Sequence, residues 1–156
     1  MCKGTLVKLY LLTLVFFCPI AAKANIDIVQ QLSFGKLAIV SNASVSTTTM
    51  RRNGTQLSTN KILIVEQGRP ALIQLTDFPI YTTITLTANT PVTSSMAYGG
   101  AEQFTVTALE MASTIKTDNL GQASFLVGGT LATSGNGGSY FNNATYDIYI
   151  DIELSY

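Results

Sequence analysis

Asp147, Asp151 and Glu153 come closest, by residue type and spacing, to a group that could do chemistry. A glycosidase needs two carboxyl groups roughly 5 to 10 Å apart. On an extended strand, residues two apart are separated by roughly 7 Å and residues four apart by roughly 13 Å. Asp151 with Glu153 therefore meets the spacing, and Asp147 with Asp151 does not. Nothing in the sequence marks a pocket around them or a raised pKa, so the three read as the solvated face of one strand. Other chemistries lack their residues. The chain has no His and no Trp, and its two cysteines are Cys2 and Cys18, close to the start. Imidazole and thiolate metal sites, a Ser–His or Cys–His nucleophile and a histidine pH switch all lose their side chains.

Weaker signals resolve the same way. Asp118-Asn119 with Gly121 looks like a fragment of a calcium loop, but the other ligand positions are missing and a turn accounts for it. Gly128-Gly129 and Gly135, Gly137 and Gly138 form a glycine-rich stretch without the strand–loop–helix setting that cradles phosphate. The sequons at Asn42, Asn53 and Asn143 matter only in a glycosylating host. Arg51-Arg52 is too small for a nucleic-acid patch. No catalytic residue, metal site or cofactor is expected. The aromatics are better candidates, because an exposed Tyr can stack on a sugar. Among Tyr81, Tyr98, Tyr140, Phe141 and Tyr149, the ones taken as ligand-facing are Tyr149, on the polar side of its strand, and Tyr81.

The elements that would position these residues begin after a leader. Lys3 and Lys8 flank an apolar run from Leu9 to Phe17, Pro19 breaks it, and Ala22-Lys23-Ala24 supplies small residues for cleavage. This is the layout of a secretory signal, and the run is far shorter than the roughly 20 residues a bilayer span needs. Residues 1–24 are read as a signal peptide and 25–156 as one exported domain with no transmembrane segment. That part keeps six bases against nine acids, a net charge of −3, which suits no nucleic-acid partner.

Of its 132 residues, 49 are Ile, Val, Thr, Phe or Tyr, the types that pack well on a pleated surface. Turn signals such as Asn53-Gly54, Gln67-Gly68-Arg69-Pro70, Phe78-Pro79 and Thr90-Pro91 divide the chain at short intervals. Strands are expected near 26–34, 36–41, 44–50, 61–66, 71–76, 80–88, 92–97, 103–111, 123–133 and 145–156. A helical turn over Ala108–Ile115 is disfavoured by its Thr and Ser. Gly128-Gly129 within a strand predicts a bulge or a close backbone approach. Many short strands without a helical period predict an all-β, antiparallel sandwich.

The last strand has the clearest pattern. Tyr146, Ile148, Ile150, Ile152, Leu154 and Tyr156 take every even position, and Thr145, Asp147, Tyr149, Asp151, Glu153 and Ser155 the odd ones. Period two places one set on a core and the other in water. The start is similar, with Ile26, Ile28, Leu32 and Phe34 at alternate positions and only Gln30 out of step. Apolar terminal strands must be covered. They can pair within one molecule or be donated between molecules.

Leu32-Ser33-Phe34-Gly35-Lys36-Leu37, Leu126-Val127-Gly128-Gly129-Thr130-Leu131 and Gly138-Ser139-Tyr140, leading into a strand that ends on Tyr156, resemble the bacterial secreted domain-of-unknown-function family numbered 4402. The Pro70–Met111 region is also similar. That family is similar in outline to pilin and spore-coat-protein-U-like subunits of chaperone–usher systems. The resemblance implies passage through a Gram-negative periplasm to the cell surface, a fimbrium or the medium. It also implies an immunoglobulin-like sandwich, complete in one chain or open. A periplasmic chaperone would grip Tyr146, Ile148, Ile150, Ile152, Leu154 and Tyr156. Ile26 and Ile28, with Leu32, would form the segment donated to another copy, and Phe34 would continue that first strand. The chain departs from the pilin pattern in its short extension before Leu32 and in ending on the tyrosine itself. The expected function is a non-enzymatic structural subunit of a surface or fimbrial assembly, with other copies, a chaperone and an usher as partners. A carbohydrate-binding adhesin or lectin module is the alternative.

Overall fold

The computed structural model describes residues 24–95, 101–140 and 142–156. The leader reading, Tyr98 and Phe141 lie outside the described residues. Among those described, every regular element is a β-strand and no helix is long and apolar enough to cross a membrane.

Twelve strands follow in chain order: β1 Asn25–Gln30, β2 Lys36–Ile39, β3 Thr47–Met50, β4 Gln56–Ser58, β5 Ile62–Glu66, β6 Ala71–Thr76, β7 Thr83–Ala88, β8 Val92–Thr93, β9 Thr105–Glu110, β10 Thr114–Lys116, β11 Ala123–Ala132 and β12 Ile152–Ser155. All pairings are antiparallel. The main sheet runs β1-β6-β11-β3-β4, with β9 on β11 and β8 on β9; a second sheet runs β10-β7-β12, and β2 pairs with β5 as a ribbon. The protein is an all-β, antiparallel sandwich.

β11 is its organising strand. Ala123–Val127 pair with β6, while Gly129–Ala132 lie between β3 and β9. Gly128 stands at this changeover, where a Cβ would run into the Met50 carbonyl oxygen. Glycine there permits the close backbone approach its sequence position predicts. The bulge in the ladder falls two residues on, between Thr130 and Leu131 on the β9 side.

Two apolar clusters fill the interior. The first joins Ala71, Ile73 and Leu75 of β6, Ile84 and Leu86 of β7, Phe125 and Val127 of β11, and Phe78. The second gathers Phe104, Val106 and Leu131. The alternation of these strands puts every second side chain inward.

Two expectations need correction. The last strand does not run from 145 to 156. Only Ile152–Ser155 pair along β7, and the stretch before them meets the sheet at a single bridge between Asp147 and Ser95. The strand expected from Ile80 begins at Thr83, and Ile80 is exposed. At 108–115, where the sequence disfavours a helical turn, none forms. β9 continues to Glu110 on β11, and after Met111–Ser113 the chain re-enters the second sheet as β10 beside β7. β4 was not anticipated; it is three residues long and pairs with β3.

Candidate functional site

The first and last described strands, β1 and β12, are both edge strands. β1 is the outermost strand of the main sheet. Ile26 lies opposite Leu75 and Ile28 opposite Ile73. Directly opposed residues share a face of the sheet, and on β6 that face is the core: Leu75 is fully buried and Ile73 8% exposed. Ile26 and Ile28 are nevertheless 50% and 59% exposed. The inner face of β1 is thus largely exposed.

The segment after β1 is fixed more firmly. A bulge separates Ile28 from Gln30, whose side-chain amide donates to the Pro70 carbonyl at 2.6 Å. Ser33 and Arg69 exchange two backbone hydrogen bonds of 2.9 and 2.8 Å. Leu32 packs on the first cluster and Phe34 on the second. Of the N-terminal residues singled out in the sequence, Ile26 and Ile28 thus line the open edge, and Leu32 and Phe34 hold the body together.

The C-terminal tail crosses both clusters. Tyr146, Ile148 and Ile150 lie on the second, Ile152 and Leu154 on the first, and all five are half-buried. Their odd-numbered neighbours Asp147, Tyr149, Asp151, Glu153 and Ser155 are exposed. Tyr156 is exposed as well, with its ring edge-on to Phe78 at 5.2 Å. β10 runs beside β11, so β12 forms the edge of the second sheet remote from β11, as β1 forms the edge of the first beyond β6. β12 pairs with β7 on one side, and its other edge takes no strand among the described residues. Each of the two sheets therefore ends on an open strand, with an unpaired backbone edge on β12 and largely exposed isoleucines on β1. Such an edge is a template for another strand.

The aromatic candidates do not come together. Tyr81 precedes β7 at one end, and Tyr149 lies beyond the other end, near the Asp147–Ser95 bridge. Tyr81 adopts a left-handed backbone (φ 53°), unusual for a bulky residue, with the Lys116 ammonium 5.9 Å from its ring centre. Its loop is zipped to the β10–β11 turn. Thr117, buried, donates to the Pro79 carbonyl at 2.7 Å and accepts from the Thr82 amide at 2.8 Å. Asp118 caps the same turn, accepting from the amides of Leu120 and Gln122, both at 2.8 Å.

Asp151 and Glu153 are both exposed. A shallow depression of about 380 Å³ is lined by Asn53, Gly54, Thr55, Gln56, Ile64 and Gln67, none of them an acid or a base. Among the described residues no group of three or more His, Cys, Asp or Glu is placed to hold a metal.

Sequence reasoning missed a polar knot at the opposite end of the sandwich. Asn42 is buried, and its amide nitrogen donates to Ser134 Oγ at 2.8 Å and the Gly138 carbonyl at 2.9 Å. Its amide oxygen accepts from the Gly135 amide at 2.8 Å. The sequon asparagine is therefore an internal clamp, and no local pattern distinguishes it from an exposed one. Nearby, Tyr140 stacks on Phe104 at 4.3 Å, accepts from the Ser134 amide and donates to the Gln103 carbonyl. Burial pushes the Tyr140 hydroxyl above its ordinary pKa, more than the hydrogen bonds from Ser134 lower it.

No match to this chain was found among curated proteins or among solved structures. The family model described as a domain of unknown function, DUF4402, matches residues 25–156, which takes in β1, β12 and everything between them, and the chain belongs to that family.

Proposed function

We propose that this chain is an exported structural subunit of a surface or fimbrial assembly, and that its copies join by β-strand addition, their open edges β1 and β12 meeting at a seam. One observation carries the reading: Ile26 and Ile28 lie on the same face as the buried Leu75 and Ile73, yet they are 50% and 59% exposed. A strand added at this seam would satisfy the free backbone groups of β12 and cover those side chains. Main-chain hydrogen bonds supply affinity in this mode and the alternate side chains supply selectivity. The exposed Asp151 and Glu153 fit an outward, solvated face better than a catalytic pair.

The test is deletion of Asn25–Gln31. Polymers that survive mild detergent should vanish in the deletion variant while its circular dichroism stays that of a β-protein. Wild-type protein that remains monomeric at high concentration, and is unchanged by the deletion, would sink the reading.

A second reading, a carbohydrate-binding adhesin, draws on Tyr81. The residue is 60% exposed and its strained backbone is held by the zipped loops, and such strain concentrates at functional sites. Saturable binding on a glycan array, lost in Tyr81→Ala, is the expected result. An inert array removes this option.

A further inference from the structure

We infer that the outer face of the β2–β5 ribbon is a docking surface for a second copy of this chain, ribbon packed on ribbon across a two-fold axis. This contact is separate from the seam and does not depend on strand addition.

β5 begins Ile62-Leu63-Ile64-Val65, apolar on both faces, a pattern typical of strands covered on both sides. The inner side is covered: Ile62 is buried, Ile64 half-buried, and Leu37 and Ile39 of β2 pack on the second cluster. The outer side is bare. Val40, Leu63 and Val65 are 61%, 55% and 58% exposed. They form one patch, because Ala38 pairs with Leu63 and the Val40 amide donates to the Lys61 carbonyl at 2.8 Å. Contiguous apolar surface of this kind marks an interaction site.

The charges at its ends select the occupant. Lys61 stands at one end of β5. At the other end Glu66 faces Lys36 at 3.6 Å, with both side chains largely in solvent, so that pair holds little of the carboxylate's binding capacity. A two-fold axis through Leu63 lays one β5 antiparallel on the other, apolar on apolar, with each Lys61 over Glu66 of the second copy. An isologous contact needs this self-complementarity. The face carries no aromatic ring to stack on a sugar.

Sedimentation equilibrium on the purified full chain tests the proposal. Apart from seam-joined polymer, which deleting Asn25–Gln31 removes, the protein should show a reversible monomer–dimer equilibrium. Leu63→Asp should raise the apparent Kd at least tenfold with an unchanged melting profile, since the residue is exposed. Lys61→Glu and Glu66→Lys should each weaken the dimer, and the two together should restore it. The charge pair keeps the test decisive should Leu63→Asp fail to fold. Deleting Asn25–Gln31 should leave this dimer intact, which separates its fate from that of the seam. A monomer at every concentration overturns the proposal, as does a dimer indifferent to these substitutions. A monomer that floats with phosphatidylglycerol vesicles in a Leu63-dependent way also overturns it, giving the face to lipid.

Discussion

The ring of Tyr156, the last residue, meets Phe78 edge-on at 5.2 Å with the planes 69° apart. Phe78 is buried in the loop after β6, so this contact ties the end of one sheet's edge strand to the loop leaving the other sheet. Aromatic pairs of this geometry are worth roughly 0.5–1.5 kcal/mol beyond their burial. Tyr156→Ala should lower the thermal midpoint by a few degrees, about what a domain of this size shows for 1 kcal/mol. A midpoint within a degree of wild type would show that the end of β12 is held by its backbone ladder alone.

Ile150 and Tyr149 are neighbours with opposite surroundings. Ile150 is half-buried against the second cluster, and Tyr149 is 79% exposed. Ile150→Asp places a charge against that cluster and should cost several kcal/mol, a large share of an ordinary domain's stability. Tyr149→Asp should be near neutral. Urea titration of both variants checks the contrast, and equal losses would reverse the assignment of faces.

At Gly128 any side chain meets the backbone of Met50, Arg51 and Arg52. Gly128→Ala should destabilise by about 1–3 kcal/mol, the usual cost of overpacking. Gly129→Ala should be milder, because its nearest neighbour is the side-chain tip of Leu109 at 3.2 Å, which can move. Chemical denaturation of the pair should preserve that order.

Asn42→Ala removes the clamp between the loops after β2 and β11. The Gly135 amide and the Gly138 carbonyl lose their side-chain partner, and unsatisfied groups of this kind cost about 1–3 kcal/mol. Hydrogen exchange should accelerate at Gly135, whereas exchange in β6 should change only as far as global stability does. Unaltered protection at Gly135 would count against the clamp.

Tyr140 supplies a pH dependence. Burial raises its folded pKa above the ordinary 10.0. The neutral hydroxyl is thus favoured by folding, so its contribution is fully present below the unfolded pKa and is lost as pH rises through the folded value. Tyr140→Phe should lower stability at neutral pH by about 1 kcal/mol. Its deficit against wild type should shrink above roughly pH 10, as read from melting curves at pH 8 and pH 11. A deficit constant across that range would contradict this account.

Period two is a local property, so the sequence alone determined which side chains share a face. The half-buried set Tyr146, Ile148, Ile150, Ile152 and Leu154 and the exposed set between them follow from alternation. The all-β class follows from the same alternation and from the abundance of branched residues. The close approach at Gly128 was legible too, because a glycine pair inside a strand has few other uses. What lies opposite a face depends on residues far away in the chain. Only the tertiary structure decided that the tail pairs with β7 over 152–155 and merely lies across the second cluster before that. Only it divided 105–116 between two sheets, buried Asn42 beside a loop more than ninety residues on, and left Ile28 exposed opposite a buried Ile73. The pattern names the apolar side of a strand, and the packing of distant strands determines whether anything covers it.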